Sequence, residues 1–183
     1  MKRIVFLMFM AAVTVGCGGG KGSDEAESVD SAFVAEEYVS DIVFTDEMRY
    51  DQRVDAKQLA AMMAADTVDP AVMGMEFMGI ARGMAMDVAG AEVYATACHV
   101  TDGALEASGS DMEPVALVVD STRAILLTAD HTTCWGVVVA LQRLGYDHTD
   151  KGGDGSAVTL QRGDWRIMAS RNRIVKERNS TNE

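Results

Sequence analysis

The hydrophobic period of this 183-residue chain changes near Gly90, and that change does most to limit how it can fold. Before Gly90 the apolar residues recur at helical spacing. Val34, Tyr38 and Ile42 stand at i, i+4 and i+8 beside Val39 and Val43, while Glu36, Glu37 and Asp41 take the other side, which predicts a helix over 31–44. A second helix is predicted over 51–65, with Leu59, Ala60 and Met63 facing inward. Asp69 can cap a third helix and Pro70 suits its first position; the pattern carries it to about Ala89. Gly79 and Gly83 lie one turn apart on it, where another element's backbone could approach.

Beyond Gly90 the period shifts toward two. Residues 92–100 (EVYATACHV), 114–120 (PVALVVD) and 123–128 (RAILLT) read as strands, the last two joined by a short Ser-Thr turn. The segment 135–146 (WGVVVALQRLGY) fits either state, since Val137–Val139 favour a strand and Leu141 and Leu144 suit a helix. A strand is preferred, because 147–156 reads as a loop and 157–161 starts a further strand. That strand continues across Arg162-Gly163-Asp164 into Trp165–Ser170 as a hairpin. Helices followed by antiparallel strands predict an α+β class, with N-terminal helices packed on a C-terminal antiparallel sheet.

Composition restricts function more than fold. At 48% apolar and 24% charged the chain has the makings of an ordinary globular core. Its 28 acidic against 16 basic residues give a formal charge of −12. That balance argues against nucleic acid as a partner, which requires cations to displace condensed counterions. It also argues against docking of the folded surface on anionic lipid. The charge is uneven: residues 21–57 hold 11 acidic and 4 basic side chains, and 162–178 hold 2 acidic and 6 basic. The two ends either pack together or solvate different faces, or the acidic part meets a cationic partner.

Residues 1–17 read MKRIVFLMFMAAVTVGC. Lys2 and Arg3 precede an apolar stretch, 4–15, that is too short to span a bilayer, which needs about 20 residues. Gly16 then stands directly before Cys17. The segment resembles the lipobox signal peptide of bacterial lipoproteins, with Thr14 where Leu is usual. The resemblance implies cleavage before Cys17, lipidation of Cys17 with palmitate-type chains, and anchoring to the cell-envelope membrane without a spanning helix. Gly18, in place of an Asp after the Cys, implies delivery to an outer membrane. Cleavage would leave 167 residues. The domains expected are a signal peptide over 1–16, the lipidated Cys and a flexible acidic tether (GGGKGSDEAES and its flank) over 17–30, and one α+β domain over 31–183.

The tail AVTLQRGDWRIMASR resembles the last hairpin of the nuclear-transport-factor-two-like, or cystatin-like, superfamily, where a Gly-Asp turn precedes Trp165, Arg166 and Ile167. That resemblance implies a cone-shaped sheet, which in some members encloses a ligand pocket against helices. No catalytic Asp-His pair of its enzymatic members can be placed in this chain.

Cys98 and Cys134 are the thiols left once Cys17 is acylated. In an oxidising compartment such a pair is expected to form a disulfide. The competing reading joins Cys98-His99 to His131-x-x-Cys134 as a zinc-like set, though adjacent ligands point apart. Ten of the thirteen methionines follow the leader. Met73, Met75, Met78, Met84 and Met86 could offer thioethers to Cu(I) or Ag(I), or simply pack an apolar helix or line a greasy cavity. Asp150, Asp154 and Gly155 sketch a calcium loop that lacks its closing Glu, Gln161 standing there. Arg162-Gly163-Asp164 spells an integrin tripeptide and also a good turn. Three histidines, His99, His131 and His148, and no spaced carboxylate pair leave acid–base catalysis without a candidate, and no cofactor motif is present. The expectation is a non-enzymatic envelope lipoprotein that binds a protein partner or small apolar ligand. A soft-metal carrier and a cone-fold enzyme are the alternatives.

Overall fold

The computed structural model describes residues 38–45, 48–82, 89–151 and 157–179, so the leader, Cys17 and the tether lie outside the described residues. Its strands are β1 (Tyr38–Val39), β2 (Asp41–Val43), β3 (Glu76–Ala81), β4 (Glu92–Thr96), β5 (Cys98–Thr101), β6 (Ala104–Ala107), β7 (Val115–Val119) and β8 (Arg123–Thr128), followed by β9 (Asp147–Lys151), β10 (Ala157–Arg162), β11 (Trp165–Ser170) and β12 (Arg173–Arg178). Among the described residues there are two α-helices, α1 (Ala56–Ala64) and α2 (His131–Arg143), and a 3-10 turn at Pro70–Met73. Nine strands form one sheet in the order β1-β3-β4-β7-β8-β12-β11-β10-β9. Its pairs are antiparallel except β1 with β3. Strands β2, β6 and β5 make a second, smaller sheet.

The α+β order predicted from the sequence is therefore not the one formed. The nine-stranded sheet draws strands from both ends of the described chain, so among the described residues strands predominate, and there is neither a helical N-terminal half nor a separate C-terminal sheet. The reason lies in the alternation along the central strands. Val115, Leu117, Ala124, Leu126, Leu160, Ile167 and Ile174 enter one apolar cluster together with Leu59 and Met63 of α1 and Val137 and Leu141 of α2. Their neighbours Ala116, Val118 and Ile125 turn the other way, into a second cluster with Val39, Val93, Ala95 and Leu105. A sheet wet on one face would leave half of these residues exposed. Burying each Leu, Ile or Val is worth about 1.5–3 kcal/mol, so both faces are covered.

The predicted helix over 31–44 fails where it can be seen. Tyr38–Val39 joins the large sheet and Asp41–Val43 the small one. Between them the Ser40 and Asp41 amides and the Ser40 hydroxyl all donate to the Gly103 carbonyl. A run rich in β-branched and aromatic residues fits a period of two as well as 3.6, and long-range pairing decides. Residues 31–37 lie outside the described residues.

The helix predicted over 51–65 is present but shorter. Asp55 caps α1, accepting from the Lys57 amide at 2.8 Å. The helix predicted from Asp69 begins as expected, with Asp69 accepting from the Ala71 amide at 2.9 Å and Pro70 in the first turn. It ends after that turn, because Gly74 takes a left-handed conformation with φ 63°. The chain then extends into β3, where the register slips between Phe77 and Gly79.

The segment 135–146 is helical rather than extended. Asp130 caps α2, accepting from the Thr132 amide at 2.7 Å. Cys134, Val137, Val138 and Leu141 are buried at i, i+3, i+4 and i+7. The helix closes with the Gly145 amide on the Gln142 carbonyl and the Tyr146 amide on the Leu141 carbonyl, Gly145 having φ 89°. Gly136 lets the helices meet closely, since a Cβ there would lie 2.9 Å from that of Ala56. The residues expected as the loop 147–156 begin instead with β9. The strands 115–119 and 123–128 and the hairpin 157–170 form nearly where they were predicted.

Candidate functional site

The hairpin turn Gly163-Asp164, with Gly163 at φ 57°, brings the first residue of β11 beside the last of β10. Strand register then sets Trp165 opposite Arg162 on one side and Arg178 on the other. These positions lie on the sheet face that carries Leu160, Ile167 and Ile174, and so on the face toward the helices. Lys176, two residues from Arg178, is only 1% exposed. Its ammonium donates to the Ala65 carbonyl just past α1 and sits 4.1 Å from the centroid of the Trp165 ring. The Arg178 guanidinium is 5.2 Å from the same ring. The Trp165 indole N–H donates to Asp66 Oδ1 at 3.3 Å.

Two adjoining hollows share Asp66 and Trp165 as walls. The inner one, of about 240 Å³, runs from Trp165, Lys176 and Arg178 to the β7–β8 turn at Asp120 and Arg123. The outer one, of about 440 Å³, runs past Trp165 to Tyr146 and Arg162, whose guanidinium is 5.8 Å from the Tyr146 ring. Burial pushes the Lys176 ammonium below the usual lysine range, and the nearby Asp66 charge opposes the shift. The site is thus a cleft of cations, carboxylates and aromatic rings at the end of α1, lined by Asp66, Asp120 and Asp164 as well as by the basic residues, with the buried Lys176 in its wall.

A second polar cluster binds the α2 N-terminus. Glu113 is wholly buried and accepts from the Val54 amide at 3.3 Å, the Asp130 amide at 3.3 Å and the Thr133 hydroxyl at 2.8 Å. Burial raises its pKa; the three hydrogen bonds pull it back and the Asp130 charge adds to the rise. Asp130 is held below the usual carboxylate range although burial works against this, because it accepts from Thr132 and Tyr50 and lies 3.0 Å from Arg53. Its oxygens are engaged in capping and pairing, not in orienting His131. The cluster ties residues 52–54 to α2 and is architectural.

The residues singled out from the sequence do not converge. His99 faces Glu106 across β5 and β6, His131 opens α2, and His148 lies on β9. Among the described residues no three His, Cys, Asp or Glu side chains are grouped to hold a metal ion. Asp150 falls within β9, with Asp154 and Gly155 outside the described residues. The expected methionine helix is broken up. Met62, Met63 and Met75 are buried on the helix side, with Met73 packed against them. Met78 packs on the other side, so it cannot share an ion with Met75 by local spacing. Met84 and Met86 lie outside the described residues.

The expected Cys98–Cys134 bridge is not formed, and both thiols are free. Cys134 belongs to the cluster under the helices, while Cys98 packs against the cluster on the other side of the sheet. The Cys98 thiol donates to the Thr96 carbonyl. Burial pushes both thiols up to about 12. A Cys17→Ser variant purified without reductant is therefore expected to carry two thiols, both resistant to alkylation at pH 7 until the protein is unfolded. Mass spectrometry before and after denaturation checks this, and an oxidised pair would contradict it.

Sequence reasoning missed the Trp165 cleft as a site. Its signals were present in the basic excess of residues 162–178 and in the alternation of Ile174, Lys176 and Arg178. Comparison with known proteins adds nothing to these residues: no family model, curated protein or solved structure matches the chain.

Proposed function

We propose that the protein is a lipid-anchored envelope protein, tethered through Cys17, whose folded domain is a binding module without catalytic chemistry. The observation that carries the reading is the open cleft around Trp165, with its buried ammonium and cross-strand row of Arg162, Trp165 and Arg178. Such a convergence of a few polar groups on a concave surface is how binding sites are commonly built. The polarity of this lining favours a polar ligand or partner over the small apolar one expected from composition. The tether rests on the leader, with its basic start, apolar stretch and Gly16-Cys17 end, and Gly18 supports an outer-membrane destination.

Acyl chains anchor at about 0.8 kcal/mol per buried CH₂, so two or three of them account for stable membrane attachment. The Cys17→Ala variant, expressed in the native host, is expected to move from the membrane fraction to the soluble or unprocessed fraction. The intact mass of the unsubstituted protein is expected to show acyl chains on a chain beginning at Cys17. A Cys17→Ala protein still wholly in membranes would overturn the tether. Native mass spectrometry of the same preparation reads any ligand retained by the domain.

A further inference from the structure

We propose that the cleft around Trp165 receives the anionic end group, phosphate or carboxylate, of a small organic ligand; the proposal rests on the reading of this domain as a binding module. The charges on the two faces of β11 and β12 are treated differently. On the face away from the helices Arg166 is neutralised, pairing with Glu177 directly across the strands. On the cleft face Arg162 and Arg178 make no ion pair with any described residue, and each rests against an aromatic ring instead. The nearby Asp66 spends one oxygen on the Trp165 indole, and Asp120 spends one on the Thr122 and Arg123 amides.

Lys176 adds a positive charge. An ammonium has three N–H groups, and the Ala65 carbonyl accepts one while the Trp165 ring takes up part of the charge. Lys176 is among the residues that line the inner hollow, so its positive charge lies in the wall of that hollow. Arg178 beside it supplies a planar fork suited to carboxylate or phosphate oxygens. The inner hollow of about 240 Å³ is smaller than the several hundred Å³ that whole ligands occupy, and suits an end group. The outer hollow leaves the rest of the ligand a path past Trp165 toward Tyr146 and Arg162.

The two tryptophans are Trp135 and Trp165, so a Trp135→Phe background isolates the reporter. Fluorescence of that protein, in its full-length form, is titrated with inorganic phosphate, with succinate, and with phosphatidylglycerol or phosphatidylcholine vesicles. A saturable change with phosphate or succinate, weakened at least tenfold by Arg178→Gln or Lys176→Met, is expected and assigns a soluble anion. A change only with phosphatidylglycerol vesicles, weakened by the same variants, supports the same chemistry presented by a lipid headgroup. Arg178 is exposed, so its variant keeps the test valid if Lys176→Met does not fold. No change with any anion in folded protein overturns the proposal, as does binding that neither substitution weakens. A neutral or cationic ligand retained from the host, with Trp165 silent to anions, overturns it while leaving the binding-module reading intact. Silent fluorescence together with an empty host preparation removes both.

Discussion

Replacing Glu113 with alanine is expected to destabilise the folded domain by about 3 kcal/mol, a large part of the roughly 5–15 kcal/mol that holds a domain of this size together. The carboxylate is completely covered and serves two backbone amides, of Val54 and Asp130, and the Thr133 hydroxyl. Alanine leaves these donors without an acceptor inside the protein. Glutamine keeps the volume but turns an NH₂ toward groups that all donate, so it should recover only part of the loss. Urea unfolding at fixed pH measures both variants, and an unchanged midpoint for Glu113→Ala would contradict the assignment.

The same residue gives stability a pH dependence with a definite sign. Its folded pKa lies above the ordinary 4.5, so between 4.5 and the raised value the unfolded chain has released a proton that the folded chain still holds. Stability contributed by this group is full below pH 4.5 and is lost as pH rises through the folded pKa. Asp120 and Asp130 act in the opposite sense, being held below their ordinary 3.8, so their contribution is lost as pH falls through their lowered folded values. Removing the Glu113 ionisation should flatten the stability curve on the weakly acidic side and leave the fall at lower pH. Unfolding midpoints measured across pH 3–8 for the wild type and Glu113→Gln separate the two effects.

A proline at Val138 should cost about 3 kcal/mol or more and leave little folded protein. Val138 is in the middle of α2 and buried, so proline there removes a helical hydrogen bond and drives its ring against the Cys134 carbonyl. The companion substitution is Val139→Ala at an exposed position, 44% accessible. In a helix it exchanges a stiff β-branched side chain for the best helix former, and a gain of a few tenths of a kcal/mol is expected. In a strand the same change would lower stability. Thermal unfolding of the pair therefore tests the helical state of this segment directly.

That segment illustrates where sequence reasoning stops. Three consecutive valines favour a strand locally, whereas the spacing of Cys134, Val137, Val138 and Leu141 suits a helix face. The decision comes from Asp130 and Gly145, which cap its ends, and from the apolar surface offered by α1 and the sheet. The Met-rich stretch fails for a related reason. Its Asp-Pro start was legible, but Gly74 ends the turn, and the strand beyond it is chosen by pairing with β4 rather than by anything nearby in sequence. The candidate site left two traces in the sequence, the excess of basic residues near the C-terminus and the alternation of Ile174, Lys176 and Arg178. Neither the burial of Lys176 nor its approach to the Ala65 carbonyl, 111 residues away, has a local signature.

Local pieces whose physics is complete within a few residues were legible before any fold was known. These are the cap at Asp69, the strands of β7 and β8, and the hairpin turn before Trp165. Long-range packing sets which way the ambiguous apolar runs go, which of them cover each face of the sheet, and that the two free thiols end in different clusters. Strand pairing and burial draw their free energy from partners distant in sequence, and local spacing carries no record of those partners. For the same reason Arg162, Trp165 and Arg178 become one surface only when three strands settle into register.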